Sequence, residues 1–196
     1  MSIIIGNNLE VLSQSTNDAM IEALKLSSCK VMLSLPNGIH REIMLPPRNN
    51  YSEINGTRCY MNLEAIVPEL ASLLIPPELI DNTIDRVNAY VSPAGNGAPL
   101  HFDTRTIIIV QLVGKKLWRF SKTPAVQAPH RNCLAPVDST WFDYDGVKIS
   151  IPNDLSVLVL NPGDWLLLPK ATWHETFTND GSISATLAAP YFFEEL

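Results

Sequence analysis

Apolar residues change their period midway along this chain of 196 residues. In the first half they recur at helical spacing. Met20, Ile21 and Leu24 follow Asn17 and Asp18, either of which can cap a helix start. Leu63, Ile66, Val67, Leu70, Leu73 and Leu74 keep the same period, with Pro68 expected to mark a helix start and Pro76-Pro77 its end, Pro77-Glu78 opening a further short helix. Between these helices, residues 31–35 and 39–45 flank Pro36-Asn37-Gly38, a hairpin signal. The second half switches to short β-type runs at residues 86–91, 100–103, 106–113, 116–120, 147–151, 156–160, 165–168, 174–178 and 183–188. Val113-Gly114-Lys115, Asp145-Gly146, Asn161-Pro162-Gly163-Asp164 and Asn179-Asp180-Gly181 supply turns between them. Short strands without intervening helices predict a mainly β sandwich or barrel with N-terminal helices. Residues 121–146, rich in proline, polar and aromatic residues, read as a long insertion between strands.

Composition narrows the class. The length suits one domain, residues 1–85 forming a helical and hairpin part and residues 86–196 the barrel. A hydrophobic share of 46% against 17% charged residues fits a globular protein, and a net charge of -6 gives no case for nucleic acid or an anionic membrane. No apolar run approaches the roughly 20 residues that span a bilayer. The N-terminus lacks a signal-peptide pattern, so a cytoplasmic location is expected. Cys29, Cys59 and Cys133 share no paired spacing, which disfavours a disulfide framework or a zinc knuckle. Oligomeric state is open, including a homodimer.

The chemistry concentrates at two places 73 residues apart. Pro-Leu-His-Phe-Asp carries His101 and Asp103, which on a strand project to one face while Phe102 turns away. His174 follows the Asn161-Pro162-Gly163-Asp164 turn, the apolar strand 165–168 and Pro169. Two imidazoles and one carboxylate are the ligand set of the facial triad that holds non-haem Fe(II) with open positions. Barrel closure would bring His174 beside His101 and Asp103, making the chain an oxygenase.

The run from Asn88 through His101 and Asp103 to Gln-Leu-Val-Gly-Lys-Lys-Leu-Trp-Arg-Phe, together with Pro162-Gly163-Asp164 to His174, resembles the JmjC-type oxygenases, notably the small cupin-like hydroxylases. This resemblance implies a double-stranded β-helix of the cupin or jelly-roll kind, with His101, Asp103 and His174 binding Fe(II). It implies 2-oxoglutarate as co-substrate and O2 as oxidant. It also implies a basic residue for the 5-carboxylate: Lys116 by alignment, with Lys115 and Arg119 as alternatives. The expected reaction is hydroxylation of a C–H bond in an amino-acid side chain of a peptide, protein or small metabolite. Relatives often carry Thr where this chain has Ala98, and one has Asn near Ala188 or Ala189, so Asn88, Tyr90 or Thr186 is expected to complete the cofactor pocket.

Other residues read more plainly. His40 and His130 are expected to be exposed, and Trp118, Trp165 and Trp173 to pack the barrel, Trp173 turned from the metal by strand parity. Arg131, Asp138, Trp141, Phe142 and Tyr144 in the insertion can form a substrate lid or a plain surface loop. Two other classes remain: a cupin metalloenzyme such as an isomerase or thiol dioxygenase, which usually uses more histidines than the four here, and a non-catalytic cupin-type binding module.

Overall fold

Two strands explain the architecture. Ile107–Gly114 is buried from Ile107 through Leu112, and Trp165–Leu168 is buried throughout. Strands without polar alternation need cover on both faces. Ile108, Val110, Leu112, Trp165 and Leu167 enter one core cluster, while Ile107, Ile109, Leu166 and Leu168 enter another.

The structure is a computed structural model that describes residues 2–7, 14–34, 40–47, 53–80 and 83–189. Its strands are β1 (Ile4–Gly6), β2 (Cys29–Ser34), β3 (His40–Leu45), β4 (Thr57–Tyr60), β5 (Arg86–Ser92), β6 (His101–Phe102), β7 (Ile107–Gly114), β8 (Lys116–Pro124), β9 (Cys133–Leu134), β10 (Trp141–Tyr144), β11 (Val147–Ser150), β12 (Ser156–Leu160), β13 (Trp165–Leu168), β14 (Thr172–Phe177) and β15 (Ser182–Ala188). The larger sheet has the order β1-β13-β7-β15-β5-β4-β2-β3, the smaller β12-β8-β14-β6-β9, and β10-β11 stands apart. The chain from β5 to β15 alternates between the two sheets, with one break where β8 and β12, neighbours in the smaller sheet, flank the insertion. That alternation is the expected double-stranded β-helix.

The N-terminal part is continuous with the barrel. Strand β4 pairs with β5 and with β2, and so carries the β2–β3 hairpin onto the larger sheet. Helices α1 (Gln14–Leu26) and α2 (Leu70–Leu74) flank the same sheet, placing Met20, Leu70 and Leu74 in one core with Val87, Ala89 and Leu187. Helix α1 starts ahead of Asn17. The periodic stretch 63–74 is broken into a 3-10 turn (Leu63–Ala65) and α2, because Pro68 disfavours helical geometry at the residue before it. A 3-10 turn at Pro77–Leu79 follows, as Pro77-Glu78 predicts. The hairpin turn at Pro36-Asn37-Gly38 and the His40 side chain lie outside the described residues.

The insertion is built rather than loose. Strands β10 and β11 are joined by Asp145 and Gly146, both at positive φ (53° and 83°), the geometry a two-residue hairpin turn needs. A third cluster fills the space between the insertion and the smaller sheet: Phe102, Cys133, Tyr144, Ile149, Ala171 and Trp173. Near the cavity mouth, Gly97 packs so closely on the Thr176 carbonyl that a Cβ there would overlap it.

Leu187 is fully buried in the sheet-to-helix core. Leu187→Ala should lower the unfolding free energy by about 2–5 kcal/mol, read from urea denaturation with an unchanged m-value.

Candidate active site

The site begins with one cross-strand pair. Strand β14 meets β6 at His174 opposite His101, so both imidazoles stand on the same face of the smaller sheet. Asp103, just past β6, shares that side, and one ligand atom from each of the three lies within 4.8 Å of the others. The His174 Nε2 to Asp103 Oδ2 distance is 3.7 Å, and the two rings have centroids 4.1 Å apart.

Backbone carbonyls fix how each ring presents itself. His101 Nδ1–H donates to the Pro99 carbonyl at 2.7 Å, and His174 Nδ1–H to the Thr172 carbonyl at 2.9 Å. A carbonyl only accepts, so each neutral ring keeps its lone pair on Nε2, the tautomer a metal ligand requires. Burial, and then the neighbouring His101, lower the His174 pKa to about 4, so it is neutral at physiological pH. Two imidazole nitrogens and one carboxylate oxygen fit Fe(II). Parity turns Phe102 and Trp173 the other way, where their rings meet at 4.8 Å in the third core cluster.

A cavity of about 400 Å³ opens onto these groups, a size typical of small-molecule sites. On β8, Lys116 and Trp118 share its wall. Lys116 is only 2% exposed; its Nζ is within hydrogen-bond distance of Ser92 Oγ at 3.1 Å and Ser184 Oγ at 3.5 Å, and lies 5.9 Å over the Tyr90 ring. Among the described residues no carboxylate pairs with it. Burial lowers its pKa from 10.5 to about 8, so at neutral pH the protein holds a charged, uncompensated ammonium inside the barrel. The Trp118 ring stacks 5.8 Å from His174, and its buried indole N–H has no partner among the described residues. These are donors awaiting an acceptor-rich ligand.

Of the remaining predicted residues, Tyr90 and Thr186 line the cavity. The Tyr90 hydroxyl hydrogen-bonds with Cys59 and Thr186, and the neighbouring thiol, burial and Asp103 keep it protonated. Asn88 is not part of the cavity wall; its Oδ1 accepts from the Asn62 N–H at 3.0 Å. Lys115 is outside the cavity lining, and Arg119 pairs with Glu175 on the outer side of the sheet. His130 is exposed and pairs with Asp145.

Several wall residues escaped the sequence reading. Ser184 lies two positions before Thr186 on β15, so strand parity could have found it. Ser92, which is not part of the wall but lies 3.1 Å from the Lys116 ammonium, needed knowledge of where Lys116 ends. Lys30, Met32 and Glu42 reach the mouth from the β2–β3 hairpin, with Lys30 Nζ 2.9 Å from Glu42 Oε1. None of the five residues proposed for a lid touches the cavity; Asn132, Cys133 and Leu134 represent the insertion there.

Comparison with known proteins agrees with this geometry. The sequence pattern of the JmjC domain matches residues 74–193. The uncharacterised protein YxbC of Bacillus subtilis is 28% identical over 112 residues, 54% of this chain and 34% of its own. Ribosomal oxygenase 2 of Rattus norvegicus is 34% identical over 95 residues, 48% of this chain and 18% of its own. The chain thus spans about a third or less of these relatives. Among solved structures, Escherichia coli YcfD superposes with a TM-score of 0.65 at 21% identity, covering 98% of this chain and 50% of YcfD, which establishes likeness of fold. YcfD, a ribosomal oxygenase, has also been solved with cobalt and 2-oxoglutarate.

A charged lysine at this depth costs on the order of 3 kcal/mol relative to water. Lys116→Met should therefore stabilise the ligand-free protein at pH 7 by on the order of 1–3 kcal/mol in urea denaturation. The folded-state pKa is depressed, so the penalty is present below about 8 and fades as pH rises toward 10.5, taking the variant's advantage with it.

Proposed function

This chain belongs to the JmjC domain family, and from that premise we propose that it is an Fe(II)- and 2-oxoglutarate-dependent oxygenase. The observation that carries the reading is that a two-histidine, one-aspartate cluster and a buried ammonium with no counter-ion among the described residues face one cavity. His101, His174 and Asp103 would hold the metal. Lys116 would receive the distal carboxylate of 2-oxoglutarate, with the Ser92 and Ser184 hydroxyls orienting its ammonium. Tyr90 and Thr186 would flank the co-substrate, and the Trp118 indole N–H would donate to one of its oxygens. When bound, Fe(II) and 2-oxoglutarate supply activation of O2 coupled to decarboxylation, giving succinate, CO2 and one oxygen atom inserted into a substrate C–H bond.

The chain's own residues perform the rest. The Pro99 and Thr172 carbonyls hold the imidazole tautomers, so the ligands need no reorganisation. Leu168, Ile109 and Phe120 keep the barrel interior apolar behind the site. Lys30, Glu42 and the Asn132–Leu134 segment, all on the cavity wall, would border the substrate. The likeness to ribosomal oxygenases supports an amino-acid side chain of a protein as the target and a setting inside the cell.

The test is succinate formation from 2-oxoglutarate with added Fe(II) under air. The wild-type protein should form succinate, and His101→Ala or Asp103→Ala should reduce it to background; unchanged turnover in either would remove the site assignment. Binding of 2-oxoglutarate should hold below pH 8 and weaken above it, by up to about tenfold per pH unit, as the Lys116 ammonium loses its proton. Calorimetric titration across that range checks the sign.

A further inference from the structure

The strand that carries one candidate ligand, His101, and leads directly into a second, Asp103, is as short as any in the barrel. Strand β6 contains only His101 and Phe102, and it meets β14 at a single residue pair. Two residues cannot hold a strand in place unaided, yet metal sites need their donors fixed closely. The other side of β6 is held by the insertion. Strand β9 pairs with it at His101 with Leu134 and at Phe102 with Cys133. The Ala135 N–H donates to the Leu100 carbonyl at 2.8 Å, just before the strand. Just after it, the Thr104 N–H donates to Asn132 Oδ1 at 2.8 Å. The insertion therefore grips the His101–Asp103 segment at both ends.

It is itself stiffened. The Tyr144 hydroxyl accepts from the His130 N–H at 2.9 Å, and the Arg131 guanidinium lies 4.6 Å over the Tyr144 ring. The underside of Phe102 packs on Tyr144 and Phe142 with centroids 5.9 and 6.4 Å away. A flap that opens for substrate would not bury its aromatics against the back of the ligand strand.

We propose that the insertion between β8 and β12 is a brace for the metal-bearing strand, and that Asn132 is its positioning residue. The inference rests on the reading of His101, Asp103 and His174 as metal ligands. Without the Asn132 acceptor, the backbone around Asp103 keeps only the Ala171 N–H, which donates to the Asp103 carbonyl at 2.8 Å, and the carboxylate is held less firmly. Residues that support ligands in this way typically change metal affinity by about 10–100-fold.

The experiment is titration of the ligand-free protein with cobalt(II) alone, followed by its visible absorption. No substrate is present, so a lid would leave the titration unaffected. Asn132→Ala should bind cobalt(II) about tenfold more weakly, with an altered band shape and a near-wild-type urea midpoint. Asn132→Asp keeps an oxygen for the Thr104 N–H and should bind at least as tightly as wild type. Tyr144→Phe, which removes the hydroxyl that holds the His130 N–H but keeps the ring that packs on Phe102, should show a smaller loss in the same direction, and it serves if Asn132→Ala does not fold. Wild-type affinity and spectrum in Asn132→Ala, or in Tyr144→Phe should the former not fold, would overturn the brace. Failure of the wild-type protein to bind cobalt(II), with His101→Ala indistinguishable from it, would instead overturn the metal reading.

Discussion

A single antiparallel contact governs this molecule's chemistry: His174 on β14 opposite His101 on β6. Residues far apart in sequence become near neighbours only because the barrel closes, and that closure is driven by apolar burial on both faces of β7 and β13. Slipping β14 by one residue would exchange His174 for Trp173 or Glu175 and reverse every side chain. The indole of Trp173, fully packed against Phe102, holds the register. The same alternation that buries Trp173 behind the sheet therefore presents His174 in front of it.

The site is prepared at a cost in stability. Two imidazoles lie close together, tilted to one another, and a lysine is enclosed with hydroxyls and the Tyr90 ring for company. A barrel selected for stability alone would fill these positions with apolar side chains. Their retention is explained by ligands that bring the missing charges: a dication for the nitrogen and carboxylate donors, an anion for the ammonium. The Trp118 indole, buried beside His174 without a partner among the described residues, belongs to the same pattern.

Much of this was legible in the sequence because it depends on local rules. Parity alone sends His101 and Asp103 to one face, and the bounds of β12 and β13 follow from their apolar runs and turns. Lys116 came from the resemblance to the JmjC-type oxygenases, by alignment of its Gln-x-x-Gly-x-Lys run, rather than from a local rule. What escaped was set by tertiary contact. Thr57–Tyr60 is short and polar, and becomes a strand only between β5 and β2. With β4 unseen, the hairpin could not be linked to the barrel, nor Lys30 and Glu42 to the cavity mouth. The stretch 63–74 kept helical periodicity, but the constraint at Pro68 divided it. The insertion's aromatics left a lid or a plain surface loop open, whereas Asp145-Gly146 folds the segment into a hairpin whose Phe142 and Tyr144 pack behind Phe102.

The most direct measurement is a crystal structure of the protein with manganese(II) and 2-oxoglutarate, the ion located by its anomalous signal. One ion should contact Nε2 of His101, Nε2 of His174 and the carboxylate of Asp103, with the far carboxylate of the co-substrate against the Lys116 ammonium. An ion bound elsewhere, or a co-substrate turned away from Lys116, would contradict the account.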